Sequence, residues 1–146
     1  MDGLFDLQGR VAIVTGGTRG IGRAVAEGFA AAGAKVVVGS RKADACAETE
    51  AHLRSMGAEA LGVATHMGEL DDGQRLVERT VDTFGGIDII VNNAANALTQ
   101  PVGAFTPEAW DKSFAVNLRG PIFLIQNALH SLSMLEQTMC LSLTMS

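Results

Sequence analysis

Tyrosine is absent from all 146 residues. No phenol is therefore available to give or take a proton. Cysteine is scarce, and Cys46 and Cys140 share no motif. That argues against a disulfide framework and for idle thiols in a reducing compartment, so a cytoplasmic location is expected. His52, His66 and His130 are too scattered to make a metal site. No apolar run approaches the ~18 residues of a membrane span, so no membrane partner is expected. The opening Met1–Gln8 carries two aspartates and no basic residue, and it does not read as a signal peptide. Eleven Lys and Arg stand against 16 Asp and Glu, giving a net charge of −5. Such a balance gives no reason to expect a nucleic-acid partner.

What is present suffices for one domain. A chain of this length buries roughly 68–70% of its unfolded surface. Hydrophobic residues make up 47% of it, which fits a globular core.

The densest signal is Val11–Gly22, VAIVTGGTRGIG. Val11–Val14 is a short apolar run rich in β-branched residues. Gly16, Gly17, Gly20 and Gly22 follow, and then Ile21, Val25 and Phe29 recur at four-residue intervals. The order is strand, glycine turn, helix. Glycines allow a sharp turn and the close approach of a ligand. A helix start presents unpaired N–H groups and a positive dipole end, which suit a phosphate. The pattern points to a dinucleotide site in a doubly wound α/β sheet. The alternative is a tight turn with no ligand. A P-loop is disfavoured, because no Gly-Lys-Ser/Thr follows the glycines.

Along the chain, strands are expected at 10–15, 35–39, 60–64 and 87–91. Helices are expected at 21–32, 43–56 and 71–84, the first ending at Gly33. Ala45, Thr49, Leu53 and Met56 form the inner face of the second helix, and Leu76, Val77, Thr80, Val81 and Phe84 that of the third. A dinucleotide fold selective for NAD usually has an acid about 20 residues past the glycines, for the ribose 2′-OH. This chain has Ser40-Arg41-Lys42 there and no acid before Asp44. A 2′-phosphate would meet Arg41, Lys42 and Arg19, and a guanidinium can grip it with two hydrogen bonds. NADP is thus the expected cofactor and NAD the less favoured one. The alternative is that Arg41 and Lys42 form a solvated loop. Thr106 and Pro107 open a long helix as N-cap and first residue. Its inner ladder is read as Trp110, Phe114, Leu118, Ile122, Ile125 and Leu129. Pro121 lies inside it and cannot donate to the carbonyl of Asn117.

The spacing Gly16-x-x-x-Gly20-x-Gly22 after Thr15 resembles the short-chain dehydrogenase/reductase family. So do Asn92-Asn93-Ala94-Ala95 at the end of the fourth strand, with Ala95 in a glycine's place, and Asn117. The resemblance covers about Leu7 to Leu129. It implies an NADP(H)-dependent oxidoreductase that moves a hydride between nicotinamide and a small-molecule alcohol or carbonyl. By this resemblance Gly16, Thr18, Gly20, Ile21 and Gly22 lie at the cofactor's pyrophosphate, and Ser40, Arg41 and Lys42, with Arg19, at its 2′-phosphate. His66 and Met67 lie beside the adenine, where His66 replaces the family's acid. A ring-nitrogen contact, stacking, a backbone contact alone and a solvent-facing ring all remain open for His66. Asn92 braces the sheet, Asn93 and Ala94 lie along the ribose, and Asn117 holds a water of the proton relay.

The resemblance also implies what is missing. The family continues into a strand bearing a catalytic serine and a helix bearing Tyr-x-x-x-Lys. Here no lysine follows Lys112. His130–Ser146 has no glycine and no basic residue other than histidine, but three of the six methionines. The expected organisation is a partial dinucleotide-binding domain over 1–129 and an atypical tail over 130–146. A shifted reading frame, an alternative splice and an engineered fragment would all look this way. The expected fold is a Rossmann-type parallel sheet in spatial order 3-2-1-4, truncated after the fourth strand and the long helix. An edge left unpaired at 87–91 favours self-association. Three readings follow: a family enzyme cut short of its catalytic centre, a nucleotide-binding or interaction module, and a non-functional product.

Overall fold

The apolar run before the glycines is strand β1, Val11–Thr15, and every residue of it is buried. A computed structural model of the chain describes residues 5–129, 131 and 139–142. After β1 come α1 (Gly20–Ala31), β2 (Lys35–Ser40), α2 (Ala43–Ser55), β3 (Ala60–Ala64), α3 (Leu70–Phe84) and β4 (Ile89–Asn92). Then follow α4 (Pro107–Phe114), a π-helical turn (Ala115–Arg119), α5 (Gly120–Ala128) and β5 (Met139–Ser142). The strands form one sheet in the order β3-β2-β1-β4-β5, and each neighbouring pair is parallel.

The sequence order 3-2-1-4 is therefore observed, with one correction. The edge of β4 is not left unpaired, because Met139–Ser142 aligns with Ile89–Asn92. Four residues of the tail do what a fifth strand does. The segment MCLS has no proline or glycine to interrupt a ladder. Positions 130, 132–138 and 143–146 lie outside the described residues, as do 1–4. The expectation that the last helix runs on into the tail falls there too.

Both faces of the sheet are covered, which explains why β1 does not alternate apolar with polar residues. Ile13, Val37, Leu61, Val63 and Ile90 pack with Leu76 and Val77 of α3 and with Leu124 and Ala128 of α5. On the other face Ala12, Val14, Val36, Val38, Ile89 and Val91 pack with Ala26 of α1 and Leu53 of α2. The helix α3 buries Leu76, Val77 and Thr80, with Val81 and Phe84 packed at the margin, as its periodicity predicts. In α2 the buried set is Cys46, Thr49 and Leu53, while Met56 is exposed.

The long helix departs from expectation twice. Thr106 caps α4 as predicted, its hydroxyl accepting the Ala109 N–H at 3.2 Å, with Pro107 in the first turn. The helix then slips register. Gly120 N–H bonds to the Ala115 carbonyl, five residues back, and α5 starts with Pro121 in its first turn. Proline supplies no N–H to the fourth residue before it, and a π turn is one way to absorb that loss. The predicted inner ladder faces out: Trp110 is 45% exposed, Leu118 51%, Ile122 52% and Leu129 56%. The buried residues are instead Ser113, Gly120, Pro121, Leu124 and Ala128. Among the described residues, no helix is long and apolar enough to cross a membrane.

Candidate functional site

The carboxyl ends of β1, β2, β3 and β4 open onto one rim, where open α/β sheets take their ligands. At its centre β1 ends in Thr15, a polar residue that is 1% exposed. Its hydroxyl donates to the Val91 carbonyl at 3.3 Å. It accepts the backbone N–H groups of Asn93 and Ala94, both at 3.1 Å. One hydroxyl thus turns the chain after β4 toward the glycine turn after β1. Asn93 completes the join, its Nδ2 donating to the Thr15 carbonyl at 3.0 Å and the Gly16 carbonyl at 3.2 Å.

This close approach explains the glycine spacing. Gly16 has φ +66°, and a Cβ there would lie 2.8 Å from Asn93 Nδ2 and 3.1 Å from Ala94 Cα. A Cβ on Gly22 would run into the Gly16 carbonyl and the same Asn93 amide. These two glycines let the Asn93 amide into the turn. Gly20, with φ +54°, has nothing within 4 Å of its Cβ position. The backbone there is strained for other residues, and the space beside it is open. The helix α1 starts at Gly20 with no side-chain cap and no acidic residue in its first turn. Its end is left positive. Ile21, in that first turn, is 48% exposed.

Beside this turn, the Thr18 hydroxyl donates to the Ser40 hydroxyl at the end of β2, at 3.1 Å. Arg19, Arg41 and Lys42 are exposed. None of the three is among the ion pairs found between described residues. Lys42 sits at the N-cap of α2 in extended conformation.

After β3 the chain makes a tight turn at 65–69. The His66 ring folds inward, its Nδ1 accepting the Gly68 N–H at 3.0 Å. The His66 backbone N–H goes to Asp72 Oδ2 at 2.8 Å. Burial raises the Asp72 carboxyl, but the hydrogen bonds from His66 N–H and Arg75 outweigh it and hold Asp72 below its ordinary 3.8. Met67 is only 5% exposed and its side chain lies in the core beside α3 and α5. Its side chain is therefore unavailable to a ligand on the rim.

After β4 the loop from Asn96 runs to Thr106. Asn117 from the π turn holds its start. Asn117 Oδ1 accepts the Asn96 N–H at 2.7 Å, and Nδ2 donates to the Asn96 carbonyl at 2.8 Å. The amide replaces a strand partner for one residue. Ser113 supports it, donating to the Asn96 carbonyl at 3.0 Å and accepting from Asn117 Nδ2 at 3.2 Å. Both polar atoms of the Asn92 side chain are buried and, among the described residues, without a hydrogen bond. The side-chain hydrogen bonds across this gap come from Thr15 and Asn93.

Sequence reasoning brought Gly16, Gly20, Gly22, Ser40, Asn93 and Ala94 to one rim, with Thr18, Arg19, Arg41 and Lys42 beside them. It passed over Thr15, Ser113 and Asn96 as site residues. Thr15 was the readable one, as a polar residue closing an otherwise apolar buried run. The bonds of Ser113 and Asn96 reach across the fold and leave no local pattern. Among the described residues no cluster of His, Cys, Asp and Glu fits a metal ion.

The family profile for short chain dehydrogenases matches residues 10–139. The chain is similar to a short-chain dehydrogenase/reductase of Arabidopsis thaliana, 42% identical over 122 residues, covering 83% of this chain and 48% of the relative. It is similar to the human dehydrogenase/reductase SDR family member 4, 40% identical over 119 residues, covering 81% of this chain and 43% of that one. Among solved structures, a short chain dehydrogenase of Burkholderia cenocepacia in complex with NADP superposes with a TM-score of 0.87 at 33% identity, covering 93% of this chain and 55% of that one. A metagenomic blue fluorescent protein in complex with NADPH gives 0.83 at 31% identity, covering 87% and 53%. The chain thus spans about half the length of the curated relatives it matches.

Proposed function

The chain belongs to the short-chain dehydrogenase family, and from that premise we propose that its rim is an NADP(H) site built for alcohol or carbonyl hydride transfer. The carrying observation is the contact of Thr18 with Ser40 at 3.1 Å. It sets the glycine turn against the end of β2, where Arg19, Arg41 and Lys42 are free of carboxylate partners among the described residues. The residues fit the cofactor. The open space at Gly20 and the uncapped start of α1 suit a pyrophosphate. The three cations suit a 2′-phosphate. Asn93 and Ala94 border the ribose. His66 and the backbone of Met67 border the adenine.

The cofactor, when bound, supplies the hydride. The chain's own residues position it. Asn93 fixes the glycine turn through two carbonyls, so the phosphate-facing N–H groups stay in place. Asn117 fixes the loop from Asn96, which would cover the nicotinamide end, and by family resemblance it borders the relay water. The family's tyrosine and lysine have no counterpart in these residues. General acid–base help is worth about 10²–10⁴-fold in rate. The 146 residues alone are therefore proposed to bind the cofactor without useful turnover. Cys46 is a buried free thiol, in keeping with a reducing cytoplasm.

A second reading has an observation of its own. The outward face of α4 and α5 carries Trp110, Phe114, Leu118 and Ile122. Trp110 and Phe114 stack at 4.5 Å. Such a face favours a nucleotide-binding module that self-associates. Turnover tests whether the chain is catalytic on its own. Purified chain is mixed with NADPH and a panel of aldehydes, ketones and quinones, and NADPH oxidation is followed optically. The expected rate is the no-protein background. Oxidation that survives removal of contaminating reductases would overturn the inactive reading.

A further inference from the structure

The π turn touches both rim loops at once. On one side Asn117 holds the backbone of Asn96, as described above. On the other side, two residues along, Arg119 donates from its guanidinium to the Gly68 carbonyl at 2.9 Å. The neighbouring Gly120 lies so close to the Met67 carbonyl that a Cβ there would collide with it. Val116 lies 3.4 Å from the Cβ position of Gly68. Val116 and Arg119 of the turn, with Gly120 just after it, therefore seat the 65–69 loop, while Asn117 seats the loop after β4.

Nearby groups serve the N–H groups of the 65–69 turn: His66 N–H goes to Asp72, Gly68 N–H to the His66 ring and Glu69 N–H to the His66 carbonyl, while Thr65 N–H goes to the Ser40 carbonyl of the adjacent strand. The Gly68 carbonyl alone is met from a distance of 51 residues in sequence. Asn117 and Arg119 lie two residues apart, about 200° around an α-helix axis, so the helix presents them on opposite sides, one toward each loop.

We propose that Ala115–Arg119 is a two-sided clamp joining the loops after β3 and β4, and that Arg119 is the positioning residue on its β3 side. Resting on the dinucleotide reading, the clamp couples the adenine end of the rim to the nicotinamide end. A ligand that occupies only the adenine end then steadies the loop from Asn96 without touching it.

The test uses the full chain, Arg119→Met and Arg119→Lys, with amide hydrogen exchange as the readout. Without ligand, Arg119→Met should speed exchange at 66–69 about fivefold or more, with protection in β1 and β2 unchanged. Arg119→Lys keeps a donor for the Gly68 carbonyl and should restore most of the protection. Adenosine 2′,5′-bisphosphate is then added as an adenine-end probe. In the wild type it should slow exchange at 94–97, and in Arg119→Met that distant effect should vanish. The probe itself should bind Arg119→Met five- to tenfold more weakly. Unchanged exchange at 66–69 in Arg119→Met would overturn the clamp, as would an undiminished distant effect. Should Arg119→Met not fold, the partial change in Arg119→Lys decides in the same way. If the wild type binds no probe, the dinucleotide reading and the coupling both fall, and the exchange contrast alone decides whether Arg119 seats the turn.

Discussion

Thr15 and Asn93 between them make five hydrogen bonds across the gap between β1 and β4. That density makes the neighbouring glycines intolerant of substitution. Gly22→Ala places a methyl against the Gly16 carbonyl and the Asn93 amide. Overpacking of this kind costs about 1–3 kcal/mol. Urea denaturation should show a loss of that size, and dinucleotide affinity should fall with it; unchanged stability would mean the turn relaxes freely. Arg41 is predicted to act on affinity alone. It is exposed and has no ion pair among the described residues, so Arg41→Ala should leave stability unchanged while weakening NADPH binding about tenfold or more, as expected for loss of a charge-assisted hydrogen bond. NADH binding should not change. Asp72 gives a pH prediction. Its folded-state carboxyl is held below 3.8 by His66 N–H and Arg75. A depressed carboxylate adds stability that is present above its unfolded value and is lost as pH falls through the folded one. Protection at 66–69, taken relative to the intrinsic exchange rate at each pH, should therefore fall below about pH 4 in the wild type, and Asp72→Asn should remove that acid dependence. A dependence that persists in Asp72→Asn would assign it elsewhere.

Among the elements, those buried on both sides were the most legible. β1, β2 and β3 appear within a residue of where their apolar runs place them, because burial on both faces leaves only one reading of VAIV and KVVV. Helix α3 was legible because its apolar stripe is sharply periodic. The long helix was not, and the reason is physical. Its apolar residues are spread around the axis, so periodicity offers two faces, and the exposed one carries large side chains on both sides of the π turn at 115–119. Pro121 announced a break there but not its hand. The small residues Ser113, Gly120 and Ala128 took the inside, since α5 packs close to α3 and to the Met67 backbone. The exposed face that results is the basis of a further prediction. The chain should sediment above its 15.2 kDa monomer mass at micromolar concentration. The double substitution Leu118→Glu with Ile122→Glu should return it to a monomer without lowering its melting temperature, because both side chains are half exposed. A wild type that stays monomeric at every concentration would contradict this. The tail, by contrast, was illegible as a strand: MCLS is too short to stand out, and only its pairing with β4 defines it.

For the whole molecule, the glycine turn, the end of β2 and the loop after β4 converge on one rim because the strand order places β1 between β2 and β4. Motif order in the sequence was enough to foresee that convergence. The hydrogen bonds that make the rim rigid, from Thr15, Ser113, Asn117 and Arg119, depend on residues far apart in the chain and had to be seen in three dimensions. The central claim is that this rim is a dinucleotide site selective for the 2′-phosphate. Isothermal titration of the full chain with NADPH and with NADH, in the same buffer and at the same salt, tests it most directly. The account predicts saturable binding of NADPH with a dissociation constant about tenfold or more below that of NADH, a difference of 1.4 kcal/mol per decade. Equal or tighter binding of NADH, or no binding of either, would contradict it.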